Sequence, residues 1–301
     1  MKHLDVITGP TAVGKTALTL RLANHFHTPI VNADSRQMFR QIPVGTAAPT
    51  PEERAQAEHY FVGFLNLDQY YSASNFEDDA LNTIEQIHRQ NDVAIISGGS
   101  MMYIDAVCNG IDDIPTVNEQ VREEVKKWYA ERGLAPLLEY LKQKDPKHYE
   151  EVDRHNPRRV MHAVEICLQT GKPYSSFRTG EKKCRPFRII KIGVNRPREE
   201  LYQRINQRVD QMMEQGMMEE ANEYYTMRQL NSLNTVGYKE LFNYMDGVWT
   251  LDTAVERIKS NTRRYARKQL TWFKRDPEMT WFHPEDYDAI VAHIEQRINA
   301  Q

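Results

Sequence analysis

Apolar residues recur along this chain at two spacings, and the spacings alternate. HLDVIT, residues 3–8, carries Val6 and Ile7 in a short apolar stretch that predicts a strand. TALTLRLANHF, residues 16–26, places Leu18, Leu22 and Phe26 on one helical face. TPIVNADSRQMF predicts a second strand at Ile30 and Val31, ending at Asp34. SASNFEDDALNTIEQIHRQ follows with Phe76, Ala80, Ile84 and Ile87 at helical spacing. DVAIISGGSMMYIDAV then runs continuously apolar from Val93 to Ile96, as a parallel strand covered on both faces does. This is βαβ order, which places sites at the carboxyl ends of the strands: here the turn after the first strand, Asp34, and Gly98 to Ser100.

From residue 113 to 185 the pattern changes to charged helices without a strand, punctuated by Pro136, Pro146, Pro157 and Pro173. FRIIKIGVN restores a strand through Ile189, Ile190, Ile192 and Val194. Residues 197–275 are mostly helical, Pro277 ends a basic helix, and PEDYDAIVAHIEQRINA supplies a last amphipathic one. The expected organisation is an α/β core begun by residues 1–112, interrupted by a helical insertion at 113–185, and completed by 186–301.

GPTAVGKT fills the first strand-to-helix turn: Gly9, Pro10, Thr11, Ala12, Val13, Gly14, Lys15 and Thr16. Two glycines, a lysine and a threonine at this spacing, between strand and helix, form a phosphate-binding loop. Its backbone N–H groups and the positive end of the helix face an anion. Lys15 would lie along the terminal phosphates and Thr16 would ligate Mg²⁺. The fold class is therefore α/β with a P-loop NTPase-like core, a parallel sheet and an inserted all-helical domain. The loop alone does not say whether the phosphate belongs to a nucleotide such as ATP.

Composition narrows the classes. The 301 residues are 40% hydrophobic and 27% charged, and no apolar run approaches the ~20 residues needed to span a bilayer. The N-terminus enters a strand directly, without a secretory signal. Cys108, Cys167 and Cys184 are odd in number and never form C-x-x-C, so neither a disulfide framework nor a zinc site is indicated. A cytoplasmic location, no membrane partner and a monomeric state are expected.

The net charge of −3 gives no overall attraction to nucleic acid. ERIKSNTRRYARKQLTWFKRD departs from that balance: Arg257, Lys259, Arg263, Arg264, Arg267, Lys268, Lys274 and Arg275 share one helix with no acid between the first and last. Solvated helices ordinarily mix signs to form i,i+4 pairs. Ile258, Thr262, Tyr265, Gln269 and Trp272 are expected on its inner face. A second cluster holds Arg154, Arg158 and Arg159. Two separated basic patches suit a long polyanion such as RNA, although acids elsewhere in the fold could pair with the helix instead.

Asp34, ionised at pH 7, is the candidate acid at the active edge, able to accept a proton or hold Mg²⁺. A phosphoryl-transfer kinase would use the same parts. The paired aspartates in FEDDALN and IDDIPT do not complete the D-D-x-x-D spacing of isoprenoid synthases.

GPTAVGKT, NADSRQMFRQIPVGTAAP, SGGSMMY, NPRRVMHAVEI, RINQRVDQMMEQG, NTVGYKEL and TRRYARKQLTWFKRD occur in the order seen in the bacterial tRNA dimethylallyltransferase (IPP transferase) family, which the chain resembles over nearly its whole length. The resemblance implies transfer of a dimethylallyl group from dimethylallyl pyrophosphate to the exocyclic N6 amine of adenosine-37, 3′ of the tRNA anticodon, with Mg²⁺. It implies that the loop cradles the leaving pyrophosphate, that Arg208 clamps it with Thr16, and that Asp34 takes the proton from a flipped base. It further implies tRNA contacts at Asp34, Ser35, Arg36 and Gln37; at Ser100 and Arg122; and at Arg158, Arg159, Val160, Met161 and His162 against the anticodon stem-loop. Asn234, Thr235, Val236, Gly237, Tyr238 and Lys239 form another such region, as does the segment Arg267 to Lys274, which includes Lys268, with Arg263 beside it.

The chain departs from the family pattern at Arg36 and Phe39, where DSMQVY is usual, and at Ala48, which replaces a lysine. The alternatives are an adenylate isopentenyltransferase, a small-molecule P-loop kinase and a non-enzymatic RNA-binding NTPase switch. The first two have little use for the basic helix.

Overall fold

The computed structural model describes residues 1–300. They divide into two compact units, residues 1–109 with the described residues from 184 onward, and residues 110–183. These boundaries lie two or three residues before those read from composition.

The larger unit begins β1 (His3–Thr8), α1 (Lys15–Phe26), β2 (Ile30–Asn32), α2 (Pro43–Thr46), α3 (Pro51–Gln56) and β3 (His59–Tyr60). It continues with α4 (Ala73–His88), β4 (Val93–Gly98) and α5 (Met101–Asn109). The insertion contains α6 (Glu119–Arg132), α7 (Ala135–Lys144), α8 (Pro146–Glu151) and α9 (Pro157–Thr170). The larger unit resumes with β5 (Arg188–Val194), α10 (Arg198–Glu214), α11 (Met217–Glu223) and α12 (Tyr238–Met245), then α13 (Leu251–Phe273), β6 (Thr280–Phe282) and α14 (Tyr287–Asn299).

All six strands pair in parallel, in the order β3-β2-β4-β1-β5-β6. Both faces are covered, and side chains divide between them with the period of two that a pleated strand imposes. Leu4, Val6, Val31, Ala94 and Ile96 enter one core. Ile7, Ile30, Ile95, Ile190 and Ile192 enter the other. The expected face of α4 is buried in full, Phe76, Ala80, Ile84 and Ile87 together. Its start is fixed by Ser72 and Asn75, which cap each other's backbone N–H groups.

The inner face of α13 differs from expectation. Ile258, Ala266, Gln269 and Phe273 are buried, Thr262 and Trp272 are half-buried, and Tyr265 is exposed. Thr262 and Tyr265 lie on the stripe where it crosses a cavity instead of the core. The insertion has its own core of Val125, Leu137, Leu141, Val160, Ala163 and Val164.

Candidate active site and nucleic-acid interface

The phosphate loop leaves β1 and ends at Gly14, which caps α1 with φ +110°, a conformation that favours glycine. Ala12 also lies in left-handed space, at φ 63°. Such strain persists where surroundings over-determine the backbone, and here the loop's carbonyls are held individually. Arg204 Nε donates to Ala12 O at 2.9 Å and Arg196 Nε to Val13 O at 2.8 Å. Lys15 Nζ donates to Gly9 O at 3.0 Å and Pro10 O at 2.8 Å. The Thr11 N–H donates to Gln269 Oε1 at 2.9 Å.

Burial pushes the Lys15 ammonium down to about 7, and Arg208 adds to the effect while Asp34 opposes it. Burial likewise lowers Arg208, again against Asp34. The two cations and the aspartate thus feel one another's fields, as groups at reactive sites commonly do.

Asp34 follows β2 and is half-buried. Its Oδ1 accepts the N–H groups of Arg36 at 2.9 Å and Gln37 at 3.4 Å. One oxygen therefore fixes the turn, leaving the other to act on a substrate. Ser100 braces the same turn: its Oγ accepts Ser35 N–H at 2.8 Å and donates to Ser35 Oγ at 3.1 Å. Arg36 donates to Asn231 O and Ser232 O at 3.0 and 3.1 Å. Gln37 Nε2 reaches Thr46 O and Ala47 O at 3.2 and 2.8 Å.

Two cavities open on these groups. One, of about 480 Å³, has Thr11, Asp34, Ser35 and Arg36 on a polar side and Ile205, Val209, Met212 and Met217 on an apolar one. Asn234, Thr235, Val236, Gly237 and Lys239 complete its rim. The other, of about 600 Å³, contains Gly14, the exposed Thr16, Ala48, Glu53 and Arg204. Arg208 and Met212 line both, so Arg208 stands where the two meet. The loop lies along the pair, Thr11 in the first and Thr16 in the second.

Thr16 and Glu53 offer hard oxygen donors at the loop's mouth, the ligand type Mg²⁺ takes when substrate phosphates and water complete its shell. Among the described residues the group with ligand-type side chains in reach of one ion is Glu200, His283 and Glu285. Arg196 already occupies it, through ion pairs to Glu200 and, at 2.9 Å, to Glu285.

On α13, Arg264, Arg267 and Lys268 are exposed and Arg263 is half-exposed, and Lys274 and Arg275, just past its end, are exposed as well. Among the described residues, Lys259 is the one of the eight bases with an acidic partner, Asp210 at 2.8 Å and Glu256 at 3.2 Å. Arg263 donates to Asn206 Oδ1 at 2.6 Å and Arg267 to Tyr202 OH at 2.8 Å, both neutral acceptors on α10. In the insertion, Arg158 and Arg159 are exposed in the first turn of α9, Met161, His162 and Arg122 are half-exposed, and Asn156 caps the helix. Arginines at a helix N-terminus add to its positive potential instead of offsetting it, a placement suited to an anion.

Three expected tRNA contacts need correction. Val160 is fully buried in the insertion core. Tyr238 is fully buried and its hydroxyl donates to Glu220, whose carboxylate also accepts Val44 N–H at 2.9 Å and Gly45 N–H at 2.8 Å. Ser100 is buried, with its hydroxyl used on Ser35. These side chains support the loops that carry their neighbours. Sequence reading missed Arg196, Arg204, Glu220 and the loop contact of Gln269. A signal existed for Arg204 alone, four residues before Arg208 and so on the same face of α10.

Residues 37–276 match the family model described as IPP transferase. The chain is 61% identical to tRNA dimethylallyltransferase 2 of Parabacteroides distasonis, over 99% of this chain and 100% of that one. It is 55% identical to tRNA dimethylallyltransferase 1 of Bacteroides fragilis, over 99% of each. Among solved structures, the tRNA isopentenylpyrophosphate transferase of Bacillus halodurans aligns with a TM-score of 0.71 at 33% identity, covering 99% of this chain and 98% of that one. A eukaryotic dimethylallyltransferase acting on tRNA aligns at 0.82 and 26% identity, covering 100% of this chain and 78% of that one. No described helix is long and apolar enough to cross a membrane. The chain belongs to the IPP transferase family.

Proposed function

We propose that this protein transfers a dimethylallyl group from dimethylallyl pyrophosphate to N6 of adenosine-37 in tRNA. The observation that carries the reading is the shared cavity: Asp34 and the loop residue Thr11 face one apolar wall, with Arg208 at the junction to the Thr16 side. Pyrophosphate lies along the loop and the five-carbon chain lies against Ile205, Val209 and Met212. The adenine amine attacks the allylic carbon, the carbon–oxygen bond breaks, and pyrophosphate leaves with the electron pair. Asp34 accepts the amine proton. Lys15, Arg208 and the loop N–H groups meet the charge that gathers on the departing oxygens. Mg²⁺, held through Thr16, would neutralise part of the same charge.

A base inside its stack cannot reach a carbon in this cavity, so adenosine must be flipped out. The loop of Asp34 to Gln37 receives it, the Asn234–Lys239 segment forms the rim, and α13 and the α9 arginines bind RNA phosphates. The enzyme works as a monomer in the cytoplasm, where its tRNA substrate resides. The test is labelled dimethylallyl pyrophosphate with tRNA and no nucleoside triphosphate. Label in N6-(dimethylallyl)adenosine after digestion is expected. Product from AMP in place of tRNA would support the adenylate enzyme, and a strict requirement for ATP would favour a kinase or an NTPase switch.

A further inference from the structure

Gln269 lies on α13, in the segment where every charged side chain is positive, yet its own side chain points into the protein and is 2% exposed. Both ends of its amide are used. Oε1 accepts the Thr11 N–H at 2.9 Å, and Nε2 donates to Gly99 O at 2.8 Å. Thr11 belongs to the phosphate loop after β1, and Gly99 to the turn after β4. One planar amide therefore joins the two inner strand ends of the active edge to the helix that carries the basic surface.

The chemistry of the position is narrow. A neutral amide can accept from an N–H and donate to a carbonyl at once. Glutamate keeps the acceptor and loses the donor, and leucine loses both, leaving a half-buried N–H and a buried carbonyl unpaired. The approach is close as well: a Cβ on Gly99 would lie 2.4 Å from Gln269 Nε2. On the same helix Arg263, Arg264, Arg267 and Lys268 flank Gln269 and face outward or sideways.

We infer that Gln269 is a positioning residue that holds the Thr11 end of the phosphate loop on α13, so that RNA on the outside of the helix and pyrophosphate on the loop act on one strut. The inference rests on the proposed function for its RNA ligand. It predicts that tRNA and pyrophosphate tighten each other's binding, with equal factors in both directions.

The test compares wild type, Gln269→Leu, Gln269→Glu and Gly99→Ala by calorimetry with inorganic pyrophosphate, filter retention of tRNA, and transfer kinetics. In Gln269→Leu, the pyrophosphate Kd and the KM for dimethylallyl pyrophosphate should rise about tenfold, the loss expected for unpairing a buried hydrogen bond. Affinity for tRNA alone should stay within about twofold, since the basic side chains are untouched. Gln269→Glu should fall between wild type and Gln269→Leu, because it still accepts the Thr11 N–H. Gly99→Ala displaces the amide from the other side and should give the same split, which keeps the test decisive if the leucine variant fails to fold. Saturating tRNA should lower the wild-type pyrophosphate Kd severalfold, and that factor should shrink to one in Gln269→Leu.

Unchanged pyrophosphate affinity in folded Gln269→Leu overturns the inference. Equal losses of tRNA and pyrophosphate binding overturn it too, because they mark a general packing role. A wild-type factor of one removes the strut. Wild-type protein that binds both ligands but transfers no dimethylallyl group sinks the proposed function, while the pyrophosphate comparison still decides the role of Gln269.

Discussion

Lys15 and the bases of α13 are both cationic groups, in opposite surroundings. Lys15 is partly enclosed, donates to two carbonyls of its own loop, and is pushed down to about 7 by burial and by Arg208. The bases of α13 are mostly exposed, and among the described residues Lys259 is the one paired with acids. An enclosed charge acts at short range, is little screened by salt, and is sensitive to a single proton. A row of hydrated charges acts additively through counterion release and is governed by salt. The first arrangement suits a leaving group whose charge appears at one place during the reaction. The second suits a polymer that must be seated before reaction and released afterwards.

The largest expected effect lies on the enclosed side. Asp34→Asn keeps the size of the residue and an oxygen for the Arg36 and Gln37 N–H groups, but it cannot take a proton at neutral pH. Single-turnover transfer should fall about 10²–10⁴-fold while tRNA and pyrophosphate still bind. Reduced pyrophosphate affinity that extra Mg²⁺ rescues would instead make Asp34 a metal ligand. A lower melting temperature with an intact rate would reduce it to a turn cap.

Lys15→Ala should come next, with pyrophosphate affinity falling about ten- to a hundredfold for loss of a charged hydrogen-bond donor. Retention of tRNA should be unchanged, since Lys15 belongs to neither basic patch. A matching loss of tRNA binding would erase the contrast between enclosed and exposed cations.

The two regions were unequally legible in the sequence. The phosphate loop is contiguous, so spacing alone located it, and strand periodicity placed it at the carboxyl edge of a parallel sheet. The basic helix was legible because its charges lie in one segment. The supports were not. Arg196 and Arg204 meet carbonyls of the loop from nearly two hundred residues away, and Gln269 meets Thr11 across 258 positions. Lys191, central in the covered strand β5, pairs with Asp276 at 2.7 Å and Glu278 at 2.8 Å, partners more than eighty positions further along the chain. Periodicity reports which face a residue occupies and nothing about a partner brought there by the fold. Tyr265 shows the same limit, since its helical stripe crosses a cavity that no local pattern announces.

The pH response sharpens the comparison further. Lys15 titrates near 7 here against 10.5 ordinarily, so above pH 7 it is mostly neutral in the protein alone. Bound pyrophosphate restores the charge, and binding between about pH 7 and 10.5 should therefore take up a proton. Affinity should weaken by up to ~tenfold per pH unit in that window. The sign for stability follows from the same values. The unfolded chain binds the extra proton there, so the contribution of Lys15 to stability rises with pH from 7 to 10.5. Calorimetry in buffers of different ionisation heat measures the uptake. Uptake that persists in Lys15→Ala would assign it to another group.

The smallest effect belongs to the exposed side and is read as a slope. Binding of tRNA should fall steeply with salt, and each phosphate contact contributes roughly 0.7–0.9 to the log–log slope. Arg263→Ala with Arg267→Ala should flatten that slope by about 1.4–1.8 if both side chains meet phosphates. Both also donate to α10, to Asn206 and Tyr202, so a helix-to-helix brace is the competing role. A brace would lower the melting temperature of the double variant and leave the slope alone. Contacts to phosphate would change the slope with little effect on melting, because the acceptors on α10 are neutral. Pyrophosphate affinity measured without tRNA should be untouched in either case, since Gln269, not the arginines, connects this helix to the phosphate loop. An unchanged slope in a protein that still folds would leave α13 without its RNA role and reduce the contrast with Lys15 to one of burial alone.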